Sequence, residues 1–310
     1  MKPAKALVWT LIPLAALVTA GEFAAHDALT RRIEALRVQQ QPWLQLSVGR
    51  EWIWPWGAAQ LDDVRLAPQD WYNAVWQLPL GYEVQIAQVV IDRPRWHLSG
   101  AQRGALVSFD LHVRGLRLPV PERWGWSYTL GAPGDPLARP PSLYELGYRE
   151  LEAEADLRLQ PVPLQHRLHV DGTVRVADLG DFDTRCTLEA GSEVLDGDTR
   201  RLGLRDCRLS YRDRGAVARW QRALAQRAGL SEPQFEDWLA KRFRDWVRTA
   251  ALPLDTASLA AFDDFLRAPH AAVLTSAPDA AVPFDALRTS PPAAWVRMLG
   301  LRLRPRASDW

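Results

Sequence analysis

The sequence predicts an α+β, mainly β fold: an N-terminal membrane helix, then a curved antiparallel meander sheet with a C-terminal helical cover. Three observations lead there. Period-two alternation recurs from Leu44 to Val176, helical spacing of apolar residues returns after the strands only from Gly215, and the N-terminus is basic and then uncharged.

The N-terminal segment comes first. Met1 to Lys5 is basic, and the sixteen residues Ala6 to Gly21 carry no charge. At about 1.5 Å per residue they span roughly 24 Å, and extension past Glu22 to Ala25 reaches bilayer-spanning length. Val18-Thr19-Ala20 is also an acceptable signal-peptidase site. Retention is favoured because Ala25, Leu29, Ile33 and Leu36 continue a helical pattern through that site. Under either reading the basic end stays in the cytoplasm and the body is exported. The expectation is therefore a bacterial inner-membrane protein with a single span and a periplasmic body.

Strands follow. Leu44, Leu46, Val48, Trp52, Trp54 and Trp56 share one parity, opposite Gln45, Ser47 and Glu51. Val107 to Val113, Ala153 to Leu159 and Leu168 to Val176 alternate in the same way, and a less regular strand occupies Tyr82 to Trp96. One-sided strands of this kind belong to antiparallel sheets with one dry face. Pro119 to Pro141, rich in proline and glycine, reads as a long irregular loop.

The two cysteines, Cys186 and Cys207, flank Asp196-Gly197, a strong signal for a two-residue hairpin turn. Cys186 lies nine residues before Leu195 and Cys207 nine after Asp198, so a hairpin centred there places them opposite each other. They fall in a non-hydrogen-bonded pair, where Cα atoms approach to about 4.5 Å and a disulfide fits. The alternative is two buried thiols. Apolar parity switches from Leu202 and Leu204 to Leu209 and Tyr211, and a bulge near Arg205 would shift the register.

Helices are expected over Gly215 to Ala228, after a Ser231/Gln234 capping box with Pro233 in the first turn, and over Thr256 to Arg267. The tail reads as strand again at His270 to Ser276 and Trp295 to Leu303. The organisation is thus 1–41 signal-anchor and connecting helix, 42–213 antiparallel sheet domain, 214–268 helical cover, and 269–310 C-terminal strands packing on the same domain.

Composition narrows function. With 38 basic and 37 acidic residues in 310, the chain has no basic excess to neutralise phosphates, so no nucleic-acid partner is expected. His166 and His169 point to opposite faces of a strand, and no C-x-x-C occurs, so no metal is expected. Asp196-Gly197-Asp198 lacks the other ligands of a calcium loop. No nucleophile elbow, P-loop or dinucleotide fingerprint is present, so no catalytic residues, cofactors or enzymatic activity are expected. Fifteen tryptophans stand out. Trp52, Trp54 and Trp56 read either as core or as the apolar lining of a groove.

The uncharged stretch Ala6 to Gly21, the strand run Leu151 to Ala190 and the segment Leu209-Ser210-Tyr211-Arg212-Asp213 leading into helices together resemble the AsmA-like group of Gram-negative envelope proteins. That resemblance, one of organisation, implies a curved, apolar-lined groove and a role in moving or organising lipids. The expected function is non-enzymatic binding of a lipid or other apolar ligand in a β-lined groove, with the inner membrane as partner. The alternative is a membrane-anchored assembly factor that uses the same surface for an envelope protein partner.

Overall fold

The computed structural model describes residues 44–54, 58–69, 78–79, 81–96, 106–122, 141–162, 165–189 and 202–305, with single positions at 31, 34 and 38. The expected anchor at 6–21, most of the Pro-rich loop, Trp56 and the Asp196-Gly197 turn lie outside these residues. Among the described residues no helix is long and apolar enough to cross a membrane.

Among the described residues the fold is a 12-stranded open antiparallel sheet with a few helices, as the alternation predicts. In chain order the strands are β1 (Leu44–Ser47), β2 (Arg50–Ile53), β3 (Ala59–Pro68), β4 (Val84–Trp96), β5 (Leu106–Pro119), β6 (Glu150–Val162), β7 (Arg167–Val176), β8 (Gly180–Glu189) and β9 (Gly203–Asp213). Helices α1 (Ala216–Ala228), α2 (Glu232–Thr249) and α3 (Thr256–Arg267) intervene before β10 (Ala271–Ser276). The chain then forms β11 (Val282–Pro283), α4 (Phe284–Thr289), α5 (Pro292–Leu299) and β12 (Arg302–Pro305). From β3 to β10 each strand pairs with its neighbour in sequence, β1 and β2 lie in line along β3, and β12 closes the far edge beside β10.

The tail corrects one expectation. Trp295 to Leu299 is helix, not strand: Pro291 and Pro292 start α5, and Gly300 ends it in the left-handed conformation. Apolar residues spaced Trp295, Met298, Leu299 fit a short helix as well as a strand, and the flanking proline and glycine decide between them.

Helix boundaries follow local chemistry. The Ser231/Gln234 capping box forms at the start of α2. Asp255 caps α3 by accepting the Ser258 amide at 2.7 Å. The three helices enclose a core around Leu224 and Phe235, both fully buried, and Gln221 Nε2 ties α1 to α3 by donating to Leu266 O at 2.6 Å. Helix α3 meets β10 and β12, and its Ser258 Oγ accepts the edge amide of Leu303 at 3.0 Å. The helical group therefore packs on the C-terminal strands through α3, while α1 reaches the segment before β6, with Arg219 over the Tyr148 ring and Arg227 3.0 Å from Glu145.

Candidate functional site

Register assigns every middle-strand side chain to one of two faces, because directly paired residues share a face and neighbours along a strand alternate. One rung runs Ile91, Leu111, Leu157, Gly172, Thr184, Leu209 from β4 to β9. The next runs Val89, Val113, Ala155, Val174, Phe182, Tyr211. These rungs form an apolar face. Its ends are covered: Val120, Tyr148 and Leu151 cluster over Leu118 and Val176, while Leu204, Val282 and Leu299 cluster over Cys186, Leu188 and Cys207. Phe265 of α3 meets Tyr211 edge-on, with ring centroids 6.1 Å apart. Between these covers Leu111, Leu157 and Phe182 are half-buried, and Val174 is 39% exposed.

The other face is charged. Its rungs read Asp110, Arg158, Asp171, Arg185 and His112, Asp156, Thr173, Asp183 from β5 to β8. They line a cavity of about 550 Å³. Arg158 donates to both Asp110 oxygens, at 2.9 and 3.1 Å, and these bonds raise its own pKa. Asp156 takes hydrogen bonds from His112 at 2.6 Å and Arg114 at 2.7 Å. Partial burial pushes the Asp156 carboxyl up, but the Arg114 and His112 bonds outweigh it and leave the group below its ordinary value. Asp183 accepts from Thr173 at 3.0 Å, and Arg185 lies 3.8 Å from Asp171. Carboxylates engaged in this way serve as cross-strand ties. No group of three or more metal-ligating side chains occurs among the described residues.

The tryptophans are placed differently from the expectation that Trp52 shares a face with Leu44, Leu46 and Val48. Apolar parity inverts along a line crossing four strands. On β5 both Val113 and Leu116 pair with the apolar side of β6, although they are three residues apart, because Gly115 adds a bulge at φ +60°. The inversion passes through Ala87 of β4 to Asp63 of β3, also at positive φ, and ends beside Gly49. Beyond it Glu51 and Ile53 take the face of Leu46, and Trp52, opposite Gln60, lies on the polar face at 63% exposure. Trp54 follows the end of β2, is half-buried, and donates its amide to Ala58 O at 2.9 Å.

Cys186 and Cys207 are paired opposite each other and bonded, with Cα atoms 4.0 Å apart. The bulge falls at Arg205, between the disulfide and the turn. It brings Leu204 onto the same face as Cys207, Leu209 and Tyr211, which accounts for the parity switch in the sequence. On the turn side the ladder runs one residue out of step with a count from Asp196-Gly197.

A family model described only as an uncharacterized protein matches residues 172–305, less than half of the chain. The match begins at Gly172 within β7 and ends with β12, so it takes in the disulfide hairpin, helices α1 to α3 and the closing strands. No curated protein matches the chain.

Proposed function

We propose that this chain binds the acyl chain of a lipid along the apolar face of its middle strands and does no chemistry on it. The observation that carries the reading is the partly exposed floor formed by Leu111, Leu157, Val174 and Phe182 between two covered ends. Each methylene removed from water contributes up to about 0.8 kcal/mol, so a half-covered acyl chain gains on the order of 5 kcal/mol. A continuous apolar strip of this kind marks an interaction surface. Binding is favoured over catalysis because the carboxylates of the opposite face are held in ion pairs and hydrogen bonds.

Place and partner belong to the same proposal. The uncharged segment Ala6 to Gly21 supports an inner-membrane anchor with the sheet in the periplasm, where a disulfide persists. The AsmA-like organisation points to the same class of ligand. Trp52, on the charged face, has no part in this lining. Native mass spectrometry of the detergent-extracted full chain tests the reading. A bound phospholipid is expected, whereas a stoichiometric protein in its place would assign the face to an assembly partner.

A further inference from the structure

Helix α2 changes character half-way along. Its first six residues carry Glu232, Glu236 and Asp237. From Trp238 to Thr249 the charges are Lys241, Arg242, Arg244 and Arg248, against Asp245 alone. On this basic half Trp238, Arg242 and Trp246 recur every four residues and so share one flank. The Arg242 guanidinium lies 5.2 Å from the centre of the Trp238 ring.

Trp246 is 44% exposed. It is also firmly mounted. Phe243, 5.9 Å away, stacks on Phe262 of α3 at 3.9 Å, so Trp246 is the outermost ring of an aromatic row rooted between two helices. Arg244 pairs with Asp263 at 2.6 Å and Arg248 with Asp245 at 2.8 Å, yet the Arg248 side chain is 80% exposed. Pairs that exposed contribute little, and their cations can exchange partners at small cost. Along the helix itself four cations stand against Asp245 in this half, while the other half is acidic.

We propose that this flank docks on an anionic phospholipid surface, with Trp246 at headgroup level, the partly buried Trp238 behind it, and Lys241 and Arg242 facing lipid phosphates. Three features favour a bilayer over a protein groove. Indole rings with one apolar and one polar edge suit the interface, basic residues gain from the negative surface, and the acidic half at Glu232, Glu236 and Asp237 is turned away by it. The inference is separate from ligand binding on the sheet, since no residue is common to both.

The test uses the full chain carrying Thr249→Cys, an exposed position on the same flank. Both native cysteines are in the disulfide, so an environment-sensitive fluorophore attaches there alone. The protein is reconstituted into phosphatidylcholine vesicles with and without phosphatidylglycerol. A several-fold rise in emission with a blue shift is expected only in the anionic vesicles, and high salt should reverse it. Trp246→Ser should abolish the rise, and Lys241→Glu with Arg242→Glu should weaken it on the order of tenfold. Unchanged melting of each variant confirms that the helices remain folded. Equal emission in both vesicle types, or a rise indifferent to Trp246→Ser, overturns the proposal. So does protection of the label in detergent by a stoichiometric protein.

Discussion

Gly115 of β5 approaches Ala87 of β4 so closely that a Cβ on the glycine would stand 2.7 Å from the alanine Cβ. Its φ of +60° is left-handed as well. Gly49 repeats the approach two strands away, where a Cβ would stand 2.8 Å from Asp63 Cβ. This line of pinched backbone turns the apolar parity over and leaves Trp52 on the charged face. Gly115→Ala meets both penalties at once, the left-handed conformation and a contact with backbone-anchored atoms. It should destabilise the protein by about 2 kcal/mol or more, read by chemical denaturation. An unchanged midpoint would mean that the bulge is not fixed by glycine.

The Cys186–Cys207 disulfide closes a loop across a sequence separation of 21. Loop-closure entropy assigns such a link roughly 3 kcal/mol, less if the hairpin persists in the unfolded chain. Replacing both cysteines with alanine should lower stability by that order, and addition of reductant should then have no further effect on the variant. Thiol labelling of the denatured, unreduced wild-type chain should modify neither cysteine.

Asp255 joins the helical group to the sheet edge. It caps α3 and accepts two hydrogen bonds from Arg304 of β12, at 2.7 and 3.0 Å. The Arg304 bonds, then those from Ser258, hold its carboxyl well below the usual range. A group depressed on folding stabilises fully above its unfolded-state value, near pH 4, and that contribution fades as pH falls toward the folded-state value. Asp255→Asn keeps a capping oxygen but loses the charge. Its melting temperature should lie below that of the wild type near neutral pH, and the two should converge only in strong acid. A difference that is constant with pH would contradict the ion pair's role.

Asp110 is buried at 7% exposure, and Arg158 neutralises it from the neighbouring strand. Breaking a buried pair from one side strands the other charge. Because Arg158 is 45% exposed and Arg93 also lies 3.7 Å from Asp110, Arg158→Ala should lower the melting temperature measurably, but less than breaking a fully buried pair with a single partner would. The double variant with Asp110→Ala should recover part of the loss. If the single variant were neutral, the polar rungs would not be holding the strands together.

What the sequence made legible was local. The capping box, the span of α3, the alternation of β5 to β7 and the cysteine pair all depend on residues close together or on one hairpin. The parity inversion was hidden because it depends on what lies across the sheet. Gly115 reads as an ordinary strand glycine until Ala87 is placed beside it, and Asp63 gives no signal of positive φ. For the same reason Trp52 appeared to share a face with Leu46. The bulge at Arg205 was visible as a parity switch, but only the register shows that it falls on the turn side of the disulfide. The polar rungs alternate charge across strands far apart in sequence, so no short motif announces them.

The proposed lipid site is the partly exposed apolar strip between the two covered ends of the sheet face. Val174 is its most direct probe, because 39% exposure allows the fold to accept a charge there while a ligand lying on Ala155, Val174 and Phe182 would not. The measurement is native mass spectrometry of detergent-extracted wild type and Val174→Glu, paired with their melting temperatures. Bound phospholipid is expected on the wild type, with most of it lost from the variant and melting within a few degrees. A wild type free of lipid, or a variant that melts normally and carries as much lipid as before, would contradict the proposal.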